Sequence, residues 1–389
     1  MYSRALTRPD HSFFLFGPRG TGKSTWLKEQ SFDLRIDLLD SKSRIDLERK
    51  PHLLRNWTAH LKAKQQVVID EVQKIPALLD EVHYLIEERK LQFALSGSSA
   101  RKLKRSQANL LAGRAINCHF FPLNYSEYGK NFSLSDRLNW GTLPLVISEQ
   151  KQRKEVLETY IENYLKQELV EEGIIRKLDP FLRFLQVAAL MNGQVLNVEN
   201  IARDCKVGRT TVDKYFEILI DTLLGFYLPA YEARARVKEL SSSKFYFFDP
   251  GVTRAAAGLT RETLDRSYLG YQFETFLLNE IRSYNEYSGK KRPLFYYGIS
   301  GRGDIDLIIR TRTKTHSQMD KIVAIEMKLG EDWKSDWGRL LEDLRGSLGQ
   351  DRVTRLIGIY TGDRMIRSGN IEVFPVDLFL TELFAGNIY

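Results

Sequence analysis

The sequence predicts an α/β chain that opens on a parallel sheet around a phosphate-binding loop, continues through helical modules and closes on a second α/β domain. Three observations predict it. An apolar run, Ser12-Phe-Phe-Leu-Phe16, passes straight into a glycine loop ending in Gly22-Lys23-Ser24 and then into helix-like Thr25-Trp-Leu-Lys-Glu. A helix, a short glycine-bearing turn and a second helix are spelled out between Asn200 and Leu219. Two strand-like segments near the C-terminus each carry acids, Asp306 in one and Glu326 with Lys328 in the other. Together they divide the chain into residues 1–135, a lid or linker over 136–178, a winged helix-turn-helix over 179–242 and a C-terminal domain over 243–389.

Strand, glycine loop, helix is the arrangement that lets backbone N–H groups curl inward around a phosphate while the helix adds its positive end. In Gly17-Pro18-Arg19-Gly20-Thr21-Gly22-Lys23-Ser24-Thr25, Lys23 is expected to reach the terminal phosphates of ATP and Ser24 to ligate Mg²⁺. A second strand, Gln66-Val-Val-Ile69, runs into Asp70-Glu71. Asp70 is expected to hold the magnesium, and Glu71 to orient and polarise the attacking water. A third strand, Leu91–Leu95, ends in Ser96-Gly97-Ser98-Ser99, so either Ser96 or Ser98 is placed to sense the terminal phosphate at the carboxyl edge of a parallel sheet. The basic run Arg101-Lys-Leu-Lys-Arg105 is read either as a solvated face or as a phosphate-backbone contact. Arg114 is the better-placed cation, as an arginine finger acting across a subunit boundary.

These segments, with Val-Val-Ile-Asp-Glu-Val-Gln-Lys, Ala-Leu-Ser-Gly-Ser-Ser-Ala, Leu-Ala-Gly-Arg and Phe121-Pro-Leu-Asn-Tyr-Ser-Glu127, resemble the bacterial and archaeal ATPase family that joins an AAA-type domain to the domain called DUF4143. The resemblance spans nearly the whole chain. It implies an AAA+-like fold with Lys23, Ser24, Asp70 and Glu71 in their usual roles, a sensor at Ser96 or Ser98, and Arg114 as the finger. The sensor departs from the family habit, which is often Asn or Thr.

Apolar residues recur at three- and four-residue spacing through Leu157–Leu165, as in a lid helix. In the second helix of the helix-turn-helix, Val212, Tyr215, Phe216, Leu219 and Leu223 make the inward stripe. That leaves Arg209, Thr210, Thr211 and Lys214 to meet a DNA groove or backbone. Phe226-Tyr-Leu-Pro-Ala-Tyr, Lys238 and the strand-like Lys244-Phe-Tyr-Phe-Phe are expected to supply the wing.

In Asp304-Ile-Asp306-Leu-Ile-Ile309 and Lys321-Ile-Val-Ala-Ile-Glu326-Met-Lys328, the two-residue repeat of a strand puts Glu326 and Lys328 on one face. Adjacent strands would then gather Asp306, Glu326 and Lys328, with the acids holding Mg²⁺ and the lysine stabilising or activating a water. This resembles the PD-(D/E)xK nuclease core. By that pattern Glu274, four residues after Gly270 on the preceding helix, is a third acid and metal ligand. Glu280 is the second candidate, because it falls on the helix face defined by Phe273, Phe276, Leu277 and Ile281 and a buried acid needs a reason. Asp249-Pro-Gly251 reads as a turn.

Composition narrows the class. The 389 residues are 43% hydrophobic and 28% charged, without low-complexity tracts, which excludes a disordered or fibrous chain. The net charge of +8, from 58 Lys and Arg against 50 Asp and Glu, favours an anionic partner. Cys118 and Cys205 stand alone, so no disulfide framework or zinc site is expected, and no signal-like or membrane-spanning run is present. The resulting expectation is a cytoplasmic ATP- and Mg²⁺-dependent ATPase, assembled as a homo-oligomer with a ring as one arrangement. It would act on branched or double-stranded DNA and carry a nuclease-like domain, live or silent. The alternative is a nucleotide-dependent switch that binds a protein partner and cuts nothing.

Overall fold

The computed structural model describes residues 2–97, 111, 113–128, 132–164, 175, 178–233 and 239–389. Ser98, the basic run Arg101–Arg105 and Lys238 lie outside these. The chain packs as two compact units, one made of residues 1–123 with 217–224, the other of 124–216 with 225–389. The lid, the helix-turn-helix and the C-terminal domain, three segments in the sequence, thus largely share one unit.

The first unit is built on β1 (Phe13–Phe16), β2 (Leu34–Asp37), β3 (Gln66–Asp70), β4 (Gln92–Gly97) and β5 (Ile116–His119), in spatial order β2-β3-β4-β1-β5. Every pairing is parallel. Strands buried on both faces read as continuous apolar runs, and β1 does so with four aromatic or leucine residues. Phe14 and Phe16 point into one core, with Leu47, Leu54 and Leu79 from α2 (Ser41–Arg49), α3 (Leu53–Trp57) and α4 (Leu78–Arg89). Phe13 and Leu15 meet Trp26 and Leu27 of α1 (Lys23–Glu29) on the other face.

The second unit begins with α5 (Tyr125–Tyr128), α6 (Leu134–Trp140), α7 (Pro144–Ser148) and α8 (Arg153–Thr159), the last running into a π-helical turn at Tyr160–Tyr164. Next come α9 (Leu178–Leu190), α10 (Val198–Cys205), α11 (Arg209–Asp221, whose residues from 217 onward count with the first unit), the antiparallel pair β6 (Gly225–Leu228) and β7 (Lys244–Phe247), and α12 (Pro250–Ala256). The remainder is α13 (Arg266–Tyr287), β8 (Leu294–Ile299), β9 (Gly303–Arg312), β10 (Lys321–Met327), α14 (Arg339–Leu348), β11 (Val353–Tyr360), β12 (Ile366–Ser368), β13 (Ile371–Pro375) and α15 (Val376–Phe384). Its sheet runs β12-β13-β11-β10-β9-β8, antiparallel from β8 to β10 and parallel from β10 through β11 to β13. Phe273, Phe276, Leu277 and Ile281 of α13 join Phe379 and Leu383 of α15 in one core, whereas Leu341 and Leu344 of α14 line the other. The apolar face assigned to α13 from its sequence is the buried one.

Three details differ from the sequence reading. The β6–β7 connection does not stand out as a wing over its described part. It follows the outer strand β8, with Tyr231 N–H donating to the Tyr296 carbonyl (2.7 Å), Tyr296 N–H to the Pro229 carbonyl (3.0 Å) and Leu240 N–H to the Gly298 carbonyl (2.9 Å). The physical reason is the edge itself, because β8 offers unpaired backbone groups and an apolar face that Tyr231 and Ala233 help to fill. Asp249 is also more than a turn residue. Fully buried, it caps α12 by accepting Val252 N–H (2.9 Å) and accepts Thr142 N–H (2.6 Å), locking the start of α12 to the end of α6.

The third is Glu280, whose buried carboxylate accepts Tyr125 N–H (2.8 Å) and the Tyr128 hydroxyl (3.3 Å). It anchors α5 rather than serving as the third acid of a metal site. Burial pushes its carboxyl up to about 8, and Glu127 adds to this while the Tyr125 and Tyr128 donors oppose it. An unfolded Glu titrates near 4.3, so the folded chain holds an extra proton between those values and stability falls as pH rises through them. Glu280→Gln is therefore expected to match wild type near pH 5 and to exceed it by about 2–4 kcal/mol near pH 9 in chemical denaturation. Equal offsets at the two pH values would contradict this.

Candidate functional site

At the end of β1 the chain turns inside a narrow space. A Cβ on Gly17 would stand 2.3 Å from the Phe120 carbonyl oxygen, so only glycine fits. Gly20 and Gly22 take φ of 79° and 93°, a region glycine enters without steric cost. The Thr21 hydroxyl donates to the Pro18 carbonyl (2.8 Å), and the buried Lys23 ammonium donates to the Gly17 and Pro18 carbonyls (2.6 and 2.9 Å). Lys23 is the first residue of α1 and Ser24 the second, so the helix N–H groups open onto the same loop. Arg19 and Thr25 are exposed beside it. Arg4 braces the loop from the N-terminal segment, donating to the Thr21 carbonyl (2.7 Å) and the Phe121 carbonyl (2.7 Å) while lying 4.0 Å from the Phe120 ring centre. Nothing in the local sequence around Arg4 signals this role.

Across β4, Asp70 and Ser96 meet at the carboxyl edge. The buried Ser96 hydroxyl donates to Asp70 Oδ1 and accepts Glu71 N–H (3.1 Å). Glu71 itself sits at φ 62°, and the buried Gln73 amide donates to its carboxylate at 2.5 Å. One serine thus fixes the side chain of Asp70 and the backbone of Glu71, while Gln73 aims the Glu71 side chain. Ser96, of the two serines left open by the sequence, makes this link; Ser98 lies outside the described residues. A curled loop that a Cβ would block, a buried ammonium at its centre and a carboxylate pinned two strands away, beyond β4, fit a nucleotide with its magnesium.

Arg114 stands elsewhere. It precedes β5, whose first residue Ile116 is level with Phe13, the first residue of β1. It is therefore displaced by the strand length, about 10 Å, from the loop that follows Phe16. Its guanidinium pairs with Glu87 on α4, and that bond holds the Glu87 carboxyl below the usual carboxylate range.

In the second unit, Glu326 lies opposite Asp306 where β10 pairs with β9, since Ile325 faces Leu307. Lys328 Nζ is 2.5 Å from Glu326 Oε1 and 3.6 Å from Asp306 Oδ2, and Met327 N–H donates to the same Asp306 oxygen (2.6 Å). Glu274 on α13 accepts the Tyr246 hydroxyl (2.9 Å). Asp304 pairs with Lys244, whose side chain is only 5% exposed. The acids and lysines expected from the sequence are thus gathered, and two residues not foreseen as part of the group, Lys244 and Tyr246, come from β7.

Crowding sets the protonation. Burial, then Asp306, push the Glu274 carboxyl up to about 8 against the pull of Lys244, Lys328 and Tyr246. Burial and Asp306 raise Glu326 well above the carboxylate range. Burial alone would lower both lysines, but Glu274, Asp304 and Asp306 around Lys244, and Asp306 and Glu326 around Lys328, hold them above the usual amine value. Among the described residues no three His, Cys, Asp or Glu side chains stand as a ready metal-holding group. Still, the donors suit a cation, because buried Glu326 Oε2 has no hydrogen-bond partner and such an oxygen is costly to leave so.

The helix-turn-helix forms as expected, with α10 capped by Asn197 (Asn200 N–H donating to its side-chain oxygen, 3.1 Å) and a turn at Lys206–Gly208 in which Lys206 takes φ 55°. Val212, Phe216 and Leu219 are buried, whereas Tyr215 and Leu223 are half-buried. Arg209, Thr210 and Lys214 are exposed and Thr211 half-buried. Arg209 pairs with Glu199 at 2.8 Å, both more than half exposed, a contact too solvated to hold the guanidinium from another anion.

A parallel β2-β3-β4-β1-β5 sheet with a glycine loop after β1 and Asp-Glu at the tip of β3 defines a P-loop domain of the AAA ATPase type. Residues 10–129 match the family model described as AAA domain, residues 269–379 the domain of unknown function DUF4143, and residues 131–263 a further domain of unknown function, DUF8612. An AAA domain and a DUF4143 segment thus follow one another in one chain, as in the ATPase family that the sequence resembles. An uncharacterised protein of Mycobacterium tuberculosis is 24% identical over 378 residues, covering 94% of this chain and 80% of its own. One of Haemophilus influenzae is 22% identical over 273 residues, covering 62% and 68%. Among solved structures, a RuvB variant of Thermotoga maritima aligns over 56% of this chain and 82% of its own at 16% identity and a TM-score of 0.29, too distant a likeness to bear on function. Among the described residues no helix is long and apolar enough to cross a membrane.

Because Ser96 orients both members of the Asp70-Glu71 pair, Ser96→Ala is expected to lower ATP turnover about tenfold or more, the equivalent of one lost hydrogen bond in the transition state. Affinity for ATP, measured with a fluorescent analogue, should stay within about twofold of wild type. Equal loss of both would place Ser96 in binding instead.

Proposed function

We propose that this AAA-type ATPase hydrolyses ATP as a homo-oligomer and acts on branched or double-stranded DNA, through its helix-turn-helix and a nuclease-like site in the DUF4143 segment. The observation that carries the DNA reading is the convergence of Glu274, Asp306, Glu326 and Lys328, from one helix and two strands, at a sheet whose acids are also met by Lys244 and Tyr246 of β7 from the helix-turn-helix segment. Exposed Arg209, Thr210 and Lys214 at the start of α11 and the net charge of +8 support an anionic polymer as ligand.

In the ATPase site Lys23 and the loop amides would hold the phosphates, while Ser24 and Asp70 would hold Mg²⁺, which supplies charge neutralisation at the terminal phosphate. Glu71, aimed by Gln73, would take a proton from the attacking water, and Ser96 keeps the acid pair in register. Arg114 sits too far along the sheet to serve its own loop, which supports its acting on a neighbouring subunit as the finger. In the second site, Asp306 and Glu326 would hold a divalent ion that polarises a phosphodiester, and Lys328 would steady the water or the developing charge.

ATP turnover with and without linear and four-way-junction DNA tests the reading directly. Stimulation by DNA is expected, and Arg209→Ala/Lys214→Ala should reduce the slope of log affinity against log salt by about one per phosphate contact removed. Absence of DNA binding at low salt, with and without ATP, would sink the DNA reading. In Mg²⁺ or Mn²⁺, Asp306→Ala and Glu326→Ala should each abolish nicking, and DNA-stimulated turnover without any nicking by wild type would leave a binding domain with a silent site. Arg114→Ala should keep nucleotide binding but lose hydrolysis by about a thousandfold, the scale of a missing arginine finger, and mixing it with Lys23→Ala protein should restore part of the turnover if the two residues meet across subunits.

A further inference from the structure

We propose that Lys244 is a positioning residue of the carboxylate site, a second lysine supplied from outside the DUF4143 segment to set its charge for one divalent ion and an approaching phosphodiester. The inference rests on the cation-binding reading of that site. Lys244 opens β7, where its backbone is paired on both sides, with Leu228 of β6 and with Val195. Its side chain crosses the Tyr296 ring, with Nζ 5.2 Å from the ring centre, and ends on Asp304. A wing lysine would be solvated, but this one is buried, and a buried ammonium is tolerated only beside acids. Two residues further along the same face of β7, Tyr246 donates to Glu274. One strand therefore touches both ends of the acid group.

The same strand is tied to the helix that carries Glu274. Asn192, after α9, accepts Phe247 N–H (2.8 Å) and donates to the Thr275 hydroxyl (2.7 Å), next to Glu274. Lys244 is thus held in place independently of its ion pair. Once a bound ion has displaced the acid protons, Glu274, Asp304, Asp306 and Glu326 bring four negative charges and Lys244 and Lys328 two positive ones, so two negative charges remain for the ion to balance. One divalent ion balances them. Without Lys244 the loaded site would keep a negative charge against the incoming phosphate.

The role has a signature that packing does not share, since loss of a structural lysine weakens a cation site and loss of a neutralising one tightens it. In full-length, nucleotide-free protein, Mn²⁺ binding is measured by calorimetry, and the portion lost in Asp306→Ala is assigned to this site. Lys244→Met is expected to bind Mn²⁺ about tenfold more tightly than wild type, as removal of one nearby charge from a divalent site implies. Lys244→Met/Asp304→Asn, which restores the count, should return to within about twofold of wild type. Unchanged or weaker binding in Lys244→Met, or a double variant no nearer to wild type than the single one, overturns the proposal. Should Lys244→Met fail to fold, Asp304→Asn alone must weaken Mn²⁺ by about tenfold for the assignment to stand. Wild type without Asp306-dependent Mn²⁺ binding would remove the carboxylate reading itself, and the role of Lys244 with it.

Discussion

Four acids on and beside one end of a largely apolar sheet are the constraint around which the second unit is arranged. A carboxylate in such surroundings must find a proton, a cation or several donors, or its desolvation exceeds what packing returns. Each acid here has an answer of its own. Asp304 takes Lys244, Asp306 takes a backbone N–H and shares Lys328 with Glu326, and Glu274 takes the Tyr246 hydroxyl. Because two of these partners sit on β7, that strand is fixed against the sheet, and the segment leading to it is drawn along β8.

The ATPase unit solves a smaller version of the same problem with neutral groups. Asp70 is buried at a strand tip and receives a serine hydroxyl, while Glu71, held in a left-handed conformation, receives a glutamine amide. Both of these donors are neutral groups. That suits groups expected to face a magnesium ion and a water, whereas the lysine-bridged acids of the second unit have protons and ammonium groups to give up first.

The parallel order of the first sheet and the residues of the loop were legible because glycine, lysine and serine at fixed spacing leave the backbone few alternatives. The helix-turn-helix and the acid-bearing strands were legible for the same reason, a period of 3.6 or of two running through apolar residues. What escaped was contact between distant segments. Arg4 reaches the loop across 17 residues of sequence and the Phe121 carbonyl across 117, and no local pattern encodes that. Lys244 and Tyr246 read as wing residues because their strand follows a helix-turn-helix, and only the packing of β7 beside the acids reveals what they touch. Glu280 was rightly suspicious as an acid on an apolar face, but its partners, Tyr125 and Tyr128, lie about 150 residues earlier.

The docking of residues 229–231 and 239–240 along β8 has a bearing on where this chain can be cut. The family border at residue 269 falls after β7 and after the stretch that shields the outer strand. A fragment begun there keeps Glu274, Asp306, Glu326 and Lys328 but leaves Asp304 without its ammonium, Glu274 without its hydroxyl donor and β8 with bare amides and carbonyls. Such an edge invites pairing with another copy. Conserved-segment limits and the limits of a self-sufficient folding unit are therefore different here, and the smallest soluble piece bearing the acid group must reach back at least through β6.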